Sequence, residues 1–299
     1  MGLIHSASGF ACPNCKCNLV FDPGNGFRCR SCGRAFPYKN GIAFLHPAVL
    51  KESYKHEEDA WRTHPREGAG SPPWMALIQK RELIHYVIDR VIPRFPPSRH
   101  VLEIGAGACW ASSLIKFYQP SSVVYASDVS PSAITKGQAL AGLLGVNIDY
   151  FCVADGESLP FEDRFFDVVF GCSVLHHYAD LKKGLTEIYR VLNTGGLYIG
   201  IGESSRSKAF RWGWTAPENL RTRSVGVQEW TYSLAEWKRA FAMVGFGAVE
   251  VQLERDWRYV GVGGITSWLP LYHRFVASLP EQLAKFLPIS ISIRATKQA

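Results

Sequence analysis

Four cysteines near the N-terminus are spaced for metal chemistry. Cys12 and Cys15 form one Cys-x-x-Cys pair and Cys29 and Cys32 a second, with thirteen residues between the pairs. Each pair makes a tight turn that aims two thiolates at one point. Two such knuckles complete a tetrahedral all-sulfur shell, which suits zinc. Pro13 inside the first pair and Gly33 after the second fit these turns, and "NLVFD" and "GFRCR" read as short strands joined by "PGNG". About 40 residues cannot bury enough core alone, so a metal would supply folding energy here. A thioredoxin-like redox pair would need a surrounding βαβ pattern, which is missing. Four protein ligands leave no open position, so the metal is expected to be structural, with Cys17 a spare thiol.

A second set of residues lies further along. Glu103, Gly105 and Gly107 follow an apolar run in "HVLEIGAGACW"; Asp128 ends "SVVYASD", and Asp155 ends "IDYFCVAD". Glycines there let the backbone approach a ligand closely where a helix begins. A carboxylate at the end of the next strand can hold ribose hydroxyls. His176 and His177, in "GCSVLHHY", follow a fourth apolar run. Either ring could act as a general base, with His177 placed ahead of His176, or only pack.

These residues need a frame. Strand-like and helix-like segments alternate from "HVLEIG" to "GGLYIGIGE", followed by the helix "SLAEWKRAFAMVGF" and the strands "AVEVQLE" and "ISISIRATK". Such alternation predicts an α/β fold: a doubly wound, Rossmann-like, seven-stranded and mostly parallel sheet, with ligands beyond the carboxyl ends of the strands. Residues 1–48 are expected to form the ribbon, 49–98 a linker and an N-terminal helix, and 99–299 the main domain. The helix is read in "PPWMALIQKRELIHYVIDRVI", from apolar residues at helical spacing. Aromatic-rich insertions at about 204–230 and 255–288 interrupt the main domain. They read as a lid over an apolar or planar acceptor, or as packing or a dimer contact.

Two resemblances follow from the quoted motifs. The cysteine ribbon running into "FPYKNGIAFL" resembles the zinc ribbons of the tRNA-methyltransferase activator family. The ordered set "EIGAGACW", Asp128, Asp155, "LPFED", "FDVV", "SVLHH", "RVL" and "GG" resembles the class I S-adenosylmethionine-dependent methyltransferases. That resemblance implies that Glu103, Gly105 and Gly107 contact the methionine moiety, that Asp128 binds the ribose hydroxyls, and that Asp155 holds the adenine amine. Ala106, Val129, Gly156 and Cys172 line the same site by the same likeness. Cys109 stands where the family often has a third glycine.

The acceptor is narrowed by what is missing. No Asn/Asp-Pro-Pro-aromatic motif follows the fourth strand, which argues against exocyclic base amines. Cys172 follows Gly171 rather than proline, unlike the nucleophile of cytosine-C5 enzymes. The leading expectation is methylation at oxygen or nitrogen of a small or medium organic acceptor. The alternatives are an RNA methyltransferase that grips RNA through its ribbon and a non-catalytic adaptor. Lys16, Arg28, Arg30, Arg34 and Lys39 against Asp22 make the ribbon basic, within a net charge of +7. No apolar run reaches the roughly 18 residues of a membrane helix. With no export signal read at the N-terminus, a cytoplasmic location is expected. Metal analysis of freshly purified protein should give one zinc per chain; well under one equivalent would count against the cage.

Overall fold

The computed structural model describes residues 9–47, 51–63, 68, 70–96, 100–205, 230–253, 278–280, 283 and 289–298. The two expected insertions, at about 204–230 and 255–288, lie outside the described residues apart from a few positions at their ends.

The cysteine module folds as the hairpin pattern predicts. Strands β1 (Leu19–Asp22), β2 (Gly26–Cys29) and β3 (Ala35–Phe36) form an antiparallel sheet in that order. Asp22 closes its turn by accepting from the Gly24 N–H at 3.0 Å and the Asn25 amide at 2.7 Å. The chain then makes a second hairpin, β4 (Tyr38–Lys39) and β5 (Ile42–Phe44), which leaves the ribbon and joins the main sheet.

The main sheet is built by the expected alternation. Its strands are β6 (His100–Ile104), β7 (Val123–Asp128), β8 (Tyr150–Val153), β9 (Phe166–Cys172), β10 (Leu192–Ser205), β11 (Phe246–Leu253) and β12 (Ile289–Lys297). The order across the sheet is β11-β12-β10-β9-β6-β7-β8-β5-β4. The seven expected strands are therefore joined by two more from residues 38–44. β5 runs parallel to β8 in the register Ile42↔Phe151, Ala43↔Cys152 and Phe44↔Val153. β12 is antiparallel to both β10 and β11.

Helices α1 (Glu52–Thr63), α2 (Met75–Gln79) and α3 (Arg81–Tyr86) precede β6. The single helix expected over residues 72–92 is thus divided at Lys80, and α3 continues as a π-turn over Val87–Val91. Within the alternating part come α4 (Trp110–Tyr118), α5 (Pro131–Leu143), α6 (Leu181–Val191) and α7 (Leu234–Val244). Local chemistry sets the starts of the last three. Ser130 caps α5 through the Ala133 N–H at 3.0 Å, Asp180 caps α6, and Ser233 with Glu236 makes a capping box on α7.

Alternation along the strands supplies two apolar layers. Val101 faces one layer with Val87, Ile115, Ile134 and Phe170, while Leu102 faces the other with Tyr125, Phe166, Trp237 and Phe241. The ribbon has no core of its own; Phe10, Phe27 and Phe36 belong to this second layer. The Phe10 ring lies 5.5 Å from Phe161, 5.2 Å from Phe27 and 5.7 Å from Tyr150. It is the ring that joins the two modules. Phe10→Ala is expected to lower unfolding free energy by about 3–5 kcal/mol, as for other buried phenylalanines. An unchanged urea midpoint would show that the modules do not share this core.

Candidate cofactor site and thiolate cage

The carboxyl ends of β6, β7 and β8 bring the sequence-predicted residues to one place. After β6 the chain turns through Gly105 (φ +57°) and Gly107 (φ +51°), both in the left-handed region. A Cβ on Gly105 would sit 2.3 Å from Val174 Cγ2, and one on Gly107 would sit 2.8 Å from the Trp61 ring. Both glycines are therefore required by conformation and by space. Cys109, at the third-glycine position, also adopts φ +52°. It is accommodated because α5 carries Gly137 opposite, where a Cβ would come within 2.2 Å of the Cys109 sulfur.

Asp128 ties two loops together. One carboxylate oxygen accepts the Gly107 N–H at 2.8 Å and the other the Ser130 N–H at 2.9 Å. Burial pushes its pKa up to about 6, against the pull of these two N–H groups. Glu103 is placed differently from Asp128. It is buried beneath α4, where it accepts from the N–H of Ser112 at 2.7 Å and from the Ser112 hydroxyl. Burial pushes Glu103 up to about 8, with the Ser112 bonds opposing. Ala106 is buried and its N–H bonds to the Ser127 carbonyl, while Val129 is half-buried beside Asp128.

Asp155 is buried beyond β8 and accepts the Glu157 N–H at 2.8 Å. Gly156 packs against Tyr178, whose hydroxyl would lie 2.0 Å from any Cβ there. Cys172 ends β9, and burial pushes its thiol up to about 12, so it is no activated nucleophile.

The two histidines are separated by their partners. His176 Nδ1 lies 2.7 Å from Glu203, a fully buried carboxylate at the end of β10. Glu203 also accepts the N–H groups of Val174, Leu175 and His176 at 3.0, 3.0 and 3.2 Å. Burial opposes its ionisation, yet His176 and these N–H groups outweigh it and hold Glu203 below the usual carboxylate value. His177 instead turns toward α1, with Nδ1 3.8 Å from Glu57.

Helix α1 is the part of the site that sequence reasoning missed. Trp61 covers Gly107. Glu58 caps the start of α5, accepting from the Ser130 hydroxyl at 2.6 Å, the Ser132 N–H at 3.1 Å and the Ser132 hydroxyl. Just before the helix, Lys51 reaches Glu157 at 2.5 Å and Asp155 at 3.7 Å. Residues 51, 54, 58 and 61 fall on one helical stripe, a signal that was available. The stripe mixes Lys, Tyr, Glu and Trp, so no apolar periodicity marks it.

The four cage sulfurs lie within 4.8 Å of one another. Cys12 and Cys32 approach to 3.6 Å and Cys15 and Cys29 to 3.4 Å, too far for a disulfide. A tetrahedral zinc with bonds of about 2.3 Å needs sulfurs a little under 4 Å apart, so the set fits that ion.

Known proteins share the fold that carries these residues. A profile of the methyltransferase domain family matches residues 102–200, the span from β6 to β10 that carries Gly105, Asp128 and Asp155. Residues 102–200 match a methyltransferase domain. Demethylmenaquinone methyltransferase of Bacteroides fragilis is 24% identical over 144 residues, covering 40% of this chain and 59% of that protein. The chain thus spans under two thirds of this relative's length. Among solved structures, geranyl diphosphate C-methyltransferase of Streptomyces coelicolor A3(2) aligns with a TM-score of 0.59 at 16% identity. It covers 84% of this chain and 100% of that one, in complex with Mg2+, geranyl diphosphate and S-adenosyl-L-homocysteine. The complex of the Haloferax volcanii Trm112 methyltransferase activator with a methyltransferase aligns at a TM-score of 0.56 and 16% identity, over 84% and 100%. At such identities the structural likeness is one of fold.

The methyltransferase domain fits a nucleoside ligand on its own evidence. His46 Nδ1 and the Tyr178 hydroxyl are buried with no hydrogen-bond partner among the described residues, and the buried Tyr54 hydroxyl has the Asp155 carboxylate as its neighbour. The charge of Asp155 acts on all three, so they gather round one carboxylate. An unmet buried polar group costs about 1–3 kcal/mol, and adenosine offers this cluster both donors and acceptors. Asp128→Ala should weaken S-adenosyl-L-homocysteine binding at least about tenfold, from lost charged-acceptor bonds of about 1.5–3 kcal/mol. Since the Asp128 pKa is raised to about 6, its charged form is present above that pH and lost below it. Affinity in the unaltered protein should fall as pH drops through about 6, and Asp128→Asn should flatten that fall. Calorimetry showing unchanged affinity in both variants would remove this carboxylate from the site.

Proposed function

We propose that this protein transfers a methyl group from S-adenosyl-L-methionine to oxygen or nitrogen of a small or medium, largely apolar organic acceptor. The observation that carries the reading is the convergence of the Gly105–Gly107 turn, Asp128 and Asp155 at the ends of three adjacent strands, closed over by α1. Bound there, the cofactor supplies an electrophilic methyl group on a sulfonium, so the protein's task is chiefly to position. Asp128 accepts from the ribose hydroxyls and Asp155 from the adenine amine, while Glu103 holds the first turn of α4 in place from beneath. Ala106, Val129, Gly156 and Cys172 shape the walls.

Of the two histidines, His176 is the better-supported base. Glu203 engages its Nδ1, which fixes ring orientation and assigns proton transfer to Nε2. His177 serves the contact with α1. The names of the relatives, which act on demethylmenaquinone and geranyl diphosphate, support an apolar acceptor. Against RNA, the ribbon's Lys16 is committed to Glu187 at 2.7 Å. Zinc held by Cys12, Cys15, Cys29 and Cys32 is structural in this reading. The ribbon, sharing a core with the domain, stands as a built-in counterpart of a separate activator protein.

The test is transfer from methyl-labelled S-adenosyl-L-methionine into a cell extract divided into organic-soluble and RNA fractions. Label should enter the organic-soluble fraction. Label confined to RNA would overturn the acceptor class, and absence of both transfer and S-adenosyl-L-homocysteine binding would leave the adaptor reading.

A further inference from the structure

We propose that Lys16, held by the Cys12–Cys15 knuckle, is a positioning residue for the loop that carries Asp155, so that the ribbon's metal sets cofactor affinity. The inference rests on the reading of Asp155 as a cofactor contact. His46, beyond the cysteine hairpin, faces that carboxylate, whereas the connection from the cage runs through the loop behind it.

Residues 155–162 leave the end of β8 and pass directly under the first knuckle. The Lys16 ammonium reaches past the cage to Glu187 at 2.7 Å, the Leu159 carbonyl at 3.2 Å and the Ser158 hydroxyl at 3.4 Å. The Ser158 hydroxyl donates to the carbonyl of Pro13, inside the knuckle, at 2.8 Å. Ser158 N–H in turn bonds to the Asp155 carbonyl at 2.9 Å. Further along, the Ala11 N–H bonds to the Pro160 carbonyl and the Glu162 N–H to the Gly9 carbonyl, both at 2.9 Å. The ribbon therefore grips the loop at Ser158, Leu159, Pro160 and Glu162, starting three residues after Asp155.

This grip depends on an unfavourable backbone. Lys16 has φ +60°, a left-handed conformation that a residue with a Cβ keeps only when its surroundings over-determine it. Here the surroundings are the knuckle: the Lys16 N–H bonds to the Cys12 carbonyl and the Cys12 N–H to the Cys17 carbonyl, both at 2.8 Å. A metal on four thiolates pins that turn. Without it, four thiols with only weak mutual hydrogen bonding hold the place, and Lys16 is released to an ordinary extended or helical backbone. Arg190 also binds the Leu159 and Phe161 carbonyls and shares Glu187, so the loop keeps one anchor and the domain stays folded. What changes is the placement of Asp155.

The test is calorimetric titration of S-adenosyl-L-homocysteine into three full-length proteins: zinc-loaded, chelator-stripped, and Lys16→Met with its zinc retained. Hydrogen exchange is followed over residues 154–162 in each. The stripped and Lys16→Met proteins should bind about five- to tenfold more weakly, the range of a modest coupling between sites. Protection should fall in residues 154–162 and persist in β6 and β7. Should stripping unfold the chain, Lys16→Met with metal bound decides the matter. Unchanged affinity in Lys16→Met would overturn this proposal while leaving the cofactor reading intact. No binding by the zinc-loaded protein would instead defeat the cofactor reading, and this proposal with it.

Discussion

Asp128 has to do two things that oppose each other. It sits buried, where a carboxylate is costly, and the role proposed for it requires acceptor capacity to spare. The two N–H groups that it accepts are what reconcile these demands, and they come from different loops: Gly107 after β6 and Ser130 at the start of α5. Each bond uses one lone pair of one oxygen, so both oxygens retain a second. Through this one side chain the glycine turn and the α5 cap are set in register. Glu58 then reaches over from α1 to the same cap, and Trp61 to the same glycine turn. The closing helix is thus fastened to the pair of loops that Asp128 joins.

The ribbon makes sense in that setting. It has too little apolar area for a core of its own, and its aromatic residues lie in the second layer of the main sheet instead. Phe10 stacks on Phe161, and the loop ending at Phe161 begins at Asp155. A thiolate cage, an aromatic cluster and the Asp155 loop are therefore consecutive links of one packed structure rather than separate attachments.

Much of this was legible in the chain, for identifiable reasons. The cysteine cage is fixed by spacing within two short turns, and helices α5, α6 and α7 announce themselves with Ser130, Asp180 and Ser233. Gly105, Asp128 and Asp155 follow short apolar runs that the strand-helix alternation marks as buried strands. Other features were hidden because their signals are not periodic or not local. Helix α1 offers a face of mixed chemistry in Lys51, Tyr54, Glu58 and Trp61, which no hydrophobic pattern detects. Strand β5 is three residues long, and it reads as the tail of the ribbon until β8 is seen beside it. The pairing of His176 with Glu203 joins positions 27 apart, brought together because β9 and β10 lie side by side with Cys172 opposite Ile201. No rule of sequence spacing points to it.

The parallel pairing of β5 with β8 has a consequence for the solubility of the chain. Remove residues 38–44 and β8 becomes the outermost strand, presenting unpaired N–H and C=O groups along Phe151, Cys152 and Val153. A bare apolar edge of this kind is a template for association with other chains. In the intact protein the edge passes to β4, which is two residues long, bears Lys39 and ends in a turn. A stretch that short and charged gives an incoming strand little to zip against. The N-terminal module thus also acts as a guard on the sheet's flank, and a domain that began after residue 48 would be a sticky fragment even with Gly105, Asp128 and Asp155 all in place.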